Sequence, residues 1–291
     1  MDLNQIGLTN QHLTFSTDDS NISSKNNNYL FNQILSGNFD SPAFSYINNL
    51  GLMRLNDVKS ISFYNASNLA AQINNFKPYE EIIDDSKVVF LPKKQKKIKT
   101  SLVKSLESRH SARKFSDIYI MSLEDMSTIL KYSYGIAKRT MTFNEVTVST
   151  RNYGSGGGLY PISVYLIINK VEGVKKGLYK YQPFSHSLLY INNDMDIHKL
   201  LQYGSFDFEN YSFCTLYEYD INRTYTKYGE LSLLISLIEI GLMSQNLDLV
   251  TSAMSYGICQ IAGFDKHYAE KILGLDGINS NILFTNICGK E

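Results

Sequence analysis

The sequence has few cysteines and no excess of charge of either sign. The three cysteines, Cys214, Cys259 and Cys288, are odd in number and far apart. That spacing fits neither a disulfide framework nor a zinc site and is typical of a reducing cytosol. Lys+Arg and Asp+Glu both number 28, so composition provides no general attraction to nucleic acid or to an anionic membrane.

Signals for export or membrane insertion are also not expected. The first ten residues, MDLNQIGLTN, lack a basic region and an apolar stretch, which argues against a secretory signal. The longest apolar run, Leu231 to Met243, is interrupted by Glu239 and is shorter than the roughly 20 residues that span a bilayer. With 291 residues, 43% of them hydrophobic, the chain can bury a core. We expect a folded cytoplasmic protein without stable membrane insertion.

The composition and the hydrophobic periodicity of the chain change near Thr100. The basic stretch Lys93–Lys99 has no interleaved aromatic residues, so we interpret it as a solvated linker rather than a nucleic-acid patch. We predict an N-terminal region of unknown role, residues 1–100, followed by a domain of residues 101–291. The elements predicted in the first region are a polar loop over Thr17–Asn28 and short helices over Tyr29–Leu35 and Asn65–Phe76.

The second region mixes helices and strands without regular βαβ repeats, which predicts an α+β fold. Ser122 followed by Asp125 resembles a capping box that opens a helix reaching about Tyr134. The stretch Gly229–Tyr256 predicts a long helix, apolar nearly all round in its first half and therefore buried on all sides. Glu239 within it needs a partner, an Arg or a backbone donor. The other predictions are helices over Ser101–Arg109, Met195–Gln202 and His267–Leu273, strands over Pro161–Asn169, Phe213–Tyr217 and Ile282–Cys288, a hairpin of Leu178–Tyr181 with Leu188–Ile191, and a loop from Gly257 to Asp265.

Two motifs could contact a phosphorylated ligand. The string Arg109-His110-Ser111-Ala112-Arg113 brings together two guanidinium groups and a hydroxyl, donors that match a phosphate, although a basic helix terminus has the same composition. The string from Ser155 through Gly156, Gly157 and Gly158 to Pro161 lets backbone N–H groups approach a ligand closely. It is neither a Walker loop nor a dinucleotide fingerprint, and a flexible turn is the alternative.

The third motif is the pair Lys227-Tyr228, which lies just before the long helix. Both side chains have high reference pKa values and form a possible acid–base pair. If both are partly buried, burial lowers the pKa of Lys227 while the neighbouring ammonium lowers that of Tyr228. The alternative is a surface lysine beside an interfacial tyrosine.

The order and spacing of these motifs, with Gly177-Leu178-Tyr179-x-Tyr181 and Gln245-Asn246-Leu247, resemble the SagB-type azoline dehydrogenases, flavin enzymes of the nitroreductase superfamily. The segment Ile261-Ala262-Gly263-Phe264-Asp265 is similar to the superfamily loop whose backbone meets the flavin edge. The resemblance covers Ser101 to Gly289. It implies an FMN-binding fold with a central, mostly antiparallel sheet and a long buried helix at the interface of a homodimer.

The resemblance also implies a function. The protein would be an FMN-dependent dehydrogenase that oxidises thiazoline or oxazoline rings of a ribosomally made precursor peptide, working with cyclodehydratase subunits of a synthetase complex, as in bacteriocin biosynthesis. Lys227 and Tyr228 would be catalytic, with Tyr228 favoured as the base, although the two roles could be exchanged. No metal is implied. The residues implied in FMN binding are Arg109, His110, Ser111 and Arg113 around the phosphate, and Ser155, Gly156, Gly157, Gln245, Ala262 and Gly263 around the remainder.

Two alternatives to this function stay open. The first is an NAD(P)H-dependent nitroreductase or flavin reductase that acts on small molecules. The second is a catalytically idle, flavin-bound scaffold subunit of a peptide-modifying complex.

Overall fold

The computed structural model describes residues 46–47, 80–84, 86–143, 146–201 and 208–291. The chain divides into two compact units, residues 1–57 and 58–291, and the second unit holds the sheet, the helices and the candidate site. The loop predicted over Thr17–Asn28 and the helices predicted over Tyr29–Leu35 and Asn65–Phe76 lie outside the described residues. The boundary near Thr100 stays a prediction.

A large antiparallel sheet forms the centre of the second unit. Its strands are β1 (Val88–Phe90), β4 (Ile162–Ile168), β5 (Gly177–Gln182), β6 (Ser187–Asn192), β7 (Phe213–Asp220), β8 (Gly257–Ile261) and β9 (Ser280–Gly289), and a separate two-stranded hairpin consists of β2 (Ile136–Phe143) and β3 (Val146–Arg151). The strand order is β1-β6-β5-β4-β7-β9-β8, and every neighbouring pair is antiparallel. All but one residue of β4 and all but one of β7 are buried, because apolar clusters cover both faces of the sheet there. The predicted mixed α+β fold with a mostly antiparallel central sheet is confirmed.

Six α-helices accompany the sheet in the described part of the chain. They are α1 (Leu102–Ser108), α2 (Leu123–Tyr134), α3 (Ile197–Leu200), α4 (Tyr225–Tyr228), α5 (Leu231–Ala253) and α6 (Lys266–Leu273). The capping box predicted for α2 is present: the Ser122 hydroxyl accepts from the Asp125 N–H at 3.1 Å and donates to the Asp125 carboxylate at 2.9 Å. The first bond satisfies one of the backbone donors that the helix start leaves without partners, whereas the second joins the two side chains.

The long helix α5 has an unusual distribution of side chains. Its buried face carries polar groups, among them Glu239 and Asp248, whereas Leu237, Ile238 and Leu242 are 45%, 56% and 45% exposed. Within a single chain this helix is not buried on all sides, because its apolar groups also face outward. Its predicted packing against a second subunit stays a prediction. By length and composition alone it could cross a membrane, but its buried polar groups contact the protein interior. An exposed apolar face of this kind is typical of an interaction surface.

The segment after the long helix also differs from the prediction. We expected a loop from Gly257 to Asp265, but Gly257–Ile261 forms β8, the edge strand beside β9. Pairing with β9 supplies the hydrogen bonds, and so the strand depends on a partner elsewhere in the chain rather than on local propensity. The sequence reading also missed β1 and the β2–β3 hairpin.

Candidate functional site

The string from Arg109 to Arg113 runs beside the edge strand β8. Ser111 forms a parallel bridge with Ile258, and the Ala112 N–H donates to the Ile258 carbonyl at 2.9 Å. Ala112 is buried, whereas Arg109, Ser111 and Arg113 are exposed. Alternate residues of an extended chain point to opposite sides, so the two guanidinium groups and the hydroxyl share one side of the string.

Charge is distributed unevenly along this string. The Arg109 guanidinium lies 3.6 Å from the carboxylate of Asp248 on α5, an acid that is 3% exposed and whose pKa is raised by burial. His110 lies 2.9 Å from the Glu291 carboxylate, and its pKa is raised by hydrogen bonds to the Ser108 carbonyl and Glu291. Arg113 forms no ion pair with any described residue. Arg113 is therefore available to an anion, the Ser111 hydroxyl is hydrogen-bonded to the Cys259 thiol, and Arg109 shares its charge with Asp248.

Ala262 and Gly263 lie at the same edge of the sheet, and Gln245 lies on helix α5, which carries Asp248. Gln245 is exposed on α5, one turn before Asp248, and Asp248 lies 3.5 Å from Gln260 of β8. Ala262 and Gly263 follow β8 directly and are exposed. A β-carbon placed on Gly263 would meet nothing within 4 Å, so a ligand can approach this backbone. We name Arg109, Ser111, Arg113, Gln245, Ala262 and Gly263 the sheet-edge cluster.

The glycine-rich string is held by α5. The Ser155 hydroxyl accepts from the Tyr160 N–H at 2.8 Å and donates to the buried Glu239 carboxylate at 2.5 Å. Glu239 thus has a serine hydroxyl as a partner, which sequence reasoning did not anticipate. Gly156 packs so closely on Ile235 that a β-carbon would collide with that side chain. The loop is fixed at two positions of α5 one turn apart.

Gly157 joins the loop to the predicted catalytic pair. Its φ is +60°, and a β-carbon here would lie within 2.5 Å of the Lys227 amine and of the Tyr228 hydroxyl. The Lys227 amine also lies 5.2 Å from the centre of the Tyr228 ring. We name Ser155, Gly156, Gly157, Lys227 and Tyr228 the glycine-loop cluster, in which the structure brings two of the predicted motifs together.

Burial shifts the pKa values of the two predicted catalytic groups in opposite directions. It lowers the pKa of Lys227 and raises the pKa of Tyr228, because each charged form loses solvation. The expectation that the neighbouring ammonium would lower the pKa of Tyr228 is wrong, since burial outweighs it. Burial thus disfavours the charged form of each group relative to its form in water.

Within one chain, the two clusters lie toward opposite ends of α5. Glu239 holds the glycine loop, and Asp248 lies beside the sheet-edge cluster nine positions later, which corresponds to about 14 Å along the axis. His110 belongs to neither cluster, because it pairs with Glu291.

Several residues to which sequence reasoning assigned no site role line an open cleft beside the glycine loop. These are Arg139, Thr150, Arg151, Tyr153 and Tyr160. Three of them lie on the β2–β3 hairpin, which was not predicted. The alternating Val146-Thr147-Val148-Ser149-Thr150-Arg151 pattern is a signal that could have revealed the second strand.

The sequence is similar to a known protein family and to a curated relative. The family model described as the nitroreductase family matches residues 106–290. A protein of Methanocaldococcus jannaschii, named as a candidate nitroreductase, is 24% identical over 170 residues, which cover 58% of this chain and 81% of the relative.

Two solved structures share the fold. A candidate nitroreductase from Ralstonia eutropha has a TM-score of 0.58 and 20% identity, over 72% of this chain and 91% of the other. A chain of the E. coli microcin synthetase McbBCD complex with truncated pro-MccB17 bound has a TM-score of 0.55 and 21% identity, over 79% and 93%.

Proposed function

The chain belongs to the nitroreductase family, and from this premise we propose that it is an FMN-dependent dehydrogenase that oxidises thiazoline or oxazoline rings of a ribosomally made precursor peptide. The observation that carries the proposal is the contact of Lys227 and Tyr228 with Gly157. Through this contact, two groups proposed to transfer a proton lie beside a glycine backbone that a ligand can approach. Similarity to a chain from a synthetase complex with a bound precursor supports a peptide substrate and assembly with other subunits. The proposal includes cyclodehydratase partners and a cytoplasmic location.

The sheet-edge cluster fits FMN. Arg109, Ser111 and Arg113 would hold the phosphate, because two guanidinium groups and a hydroxyl on one side of an extended segment match its oxygens. Gln245 and the open backbone at Ala262 and Gly263 would contact the ring system. When bound, FMN supplies a two-electron acceptor for the hydride that leaves the azoline ring.

The chain itself must accept the proton that leaves the azoline ring carbon. Lys227 is the better base, because burial lowers its pKa and so increases the fraction of neutral amine that can take a proton. The pKa of Tyr228 is raised, so its phenol stays neutral and can donate a hydrogen bond. The structure thus favours the exchanged roles over Tyr228 as the base.

We further propose a homodimer formed through the exposed face of α5. This face, with Leu237, Ile238 and Leu242, includes the positions between the two clusters. A two-fold axis near Leu242 would set the α5 helices of two protomers antiparallel. The glycine-loop cluster of one protomer would then approach the sheet-edge cluster of its partner, which would complete the site.

One experiment tests the enzymatic proposal and its alternatives. The purified protein, loaded with FMN, is mixed anaerobically with a peptide carrying preformed azolines or with NADPH, and flavin absorbance is followed. We expect bleaching by the peptide, and mass spectrometry should show the loss of two hydrogens for each oxidised ring. Bleaching by NADPH alone would indicate a small-molecule reductase. A flavin that neither compound reduces would indicate a scaffold subunit.

A further inference from the structure

The cleft beside the glycine loop has one wall from the β2–β3 hairpin and one from the loop. The hairpin wall includes Arg139 and Arg151, and the loop wall includes Ser155 and Gly157. The cleft has a volume of about 460 Å³, which lies within the range of ordinary ligand clefts. Since Gly157 also contacts Lys227, the cleft leads to the proposed reacting groups.

The charged side chains that line this cleft are all cationic. No Asp or Glu among the described residues lines it. Arg139 is exposed and forms no ion pair with a described residue. The Arg151 guanidinium donates to the Tyr153 hydroxyl at 3.1 Å and lies 5.1 Å from the centre of the Tyr160 ring, so neutral groups orient it. Arg151 also borders a neighbouring pocket lined by Glu80 and Glu81, but no carboxylate among the described residues forms an ion pair with either arginine. Two such guanidinium groups favour an anionic ligand.

The hairpin that forms this wall is a separate two-stranded ribbon. β2 and β3 pair with each other and, within the described residues, with no other strand. The outer edges of such a ribbon carry N–H and C=O groups that an extended peptide can pair with. An arginine-lined ribbon edge therefore matches a polypeptide with acidic side chains.

We propose that this cleft binds an acidic segment of the polypeptide substrate in extended form, with Arg139 and Arg151 pairing its carboxylates. The identification of that polypeptide as substrate rests on the proposed function, whereas the cationic lining does not. The cofactor phosphate is the competing anion, but Arg109, Ser111 and Arg113 already supply donors for it beside the sheet edge. The hairpin cations are thus left for the peptide.

The test measures binding of a defined peptide to the full-length, FMN-loaded protein. The probe is a short fluorescein-labelled peptide in which glutamate alternates with glycine, and the comparison peptide has glutamine in place of glutamate. Fluorescence anisotropy at low salt should show the glutamate peptide binding about tenfold more tightly than the glutamine peptide. Arg139→Glu should reduce binding of the glutamate peptide by about tenfold or more, and Arg139→Gln should reduce it in the same direction.

Lys138→Glu is the matched control. Lys138 is exposed on the same strand but does not line the cleft, so this variant makes the same charge change outside the proposed site. We expect its affinity for the glutamate peptide to stay within about twofold of the wild type. Flavin content should be unchanged in all three variants.

Three results would overturn the proposal. They are equal affinity for the two peptides, equal losses in Lys138→Glu and Arg139→Glu, and loss of FMN rather than peptide in the Arg139 variants, which would assign these cations to the cofactor. Acidic-peptide binding without azoline oxidation would contradict the proposed function and support this cleft. Azoline oxidation that is unaffected by Arg139→Glu, together with equal binding of the glutamate and glutamine peptides, would contradict the proposal for this cleft and support the proposed function.

Discussion

The Lys227 amine occupies the space beside Gly157 where any other residue would carry a β-carbon, 2.5 Å from that position. The proposed base and the loop backbone therefore approach as closely as they do only because residue 157 has no side chain. The loop in turn is fixed to α5 through Ser155 and Glu239. The position of Lys227 thus depends on a chain of contacts that reaches the long helix.

Gly157→Ala should displace the proposed catalytic pair. The new methyl group would clash with Lys227 and Tyr228, and the φ of +60° adds backbone strain of about 1–2 kcal/mol. Gly173→Ala is the matched control, because its φ is +72° but nothing lies within 4 Å of its β-carbon position. We expect similar losses of thermal stability, with azoline oxidation falling about tenfold or more only in Gly157→Ala. Equal activities in the two variants would contradict this role.

The rate of azoline oxidation should depend on pH through Lys227. Because burial lowers its pKa below the ordinary value of 10.5, the neutral amine increases as pH rises through a value below 10.5. We therefore expect kcat to rise with pH and reach a plateau. Lys227→Ala should abolish this rise and slow oxidation by about two to four decades, measured by mass spectrometry of the peptide.

Tyr228→Phe distinguishes the role of Tyr228 from that of Lys227. We expect it to slow oxidation by about two to four decades as well, while the variant stays yellow and keeps the rise of kcat with pH. If the rise disappears in Tyr228→Phe and persists in Lys227→Ala, Tyr228 is the base instead.

Arg109→Ala should weaken FMN binding. A charge-assisted contact is worth roughly 1.5–3 kcal/mol, which corresponds to about one to two decades in Kd. Lys114→Ala is the control, because Lys114 is exposed on the same segment but follows Arg113 and so points to the other side of an extended chain. Quenching of flavin fluorescence gives both affinities. Unchanged FMN affinity in Arg109→Ala would show that the segment from Arg109 to Arg113 does not hold the phosphate.

The exposed face of α5 should hold the dimer together. Ile238→Lys introduces a charge at a position that is 56% exposed in one chain, and burying an unpaired ammonium at an interface is costly. Sedimentation should show a dimer for the wild type and a monomer for this variant at low micromolar concentration. Ile118→Lys, at a position outside α5 that is 88% exposed, should remain dimeric. A stable, folded wild-type monomer would refute the interface.

Some parts of the fold are predictable from local pattern. The segment Pro161–Asn169 is almost wholly apolar and became β4, and Ser122 with Asp125 capped α2 as predicted. Strand β8 was not predictable in this way, because it is stabilised by pairing with β9. The β2–β3 hairpin was missed although its second strand carries a β-branched pattern, and with it the arginines of the cleft.

The sequence alone determined the types of chemical group available: guanidinium groups in alternation, a run of glycines, and an adjacent amine and phenol. Their order and spacing resemble those of a flavin-enzyme family, and that resemblance implied a flavin enzyme. Only the tertiary structure decided which groups meet, since the Ser155 hydroxyl and the Glu239 carboxylate are 84 positions apart in sequence. Burial, a property of packing rather than of residue type, then decided that the pKa of Lys227 falls while that of Tyr228 rises.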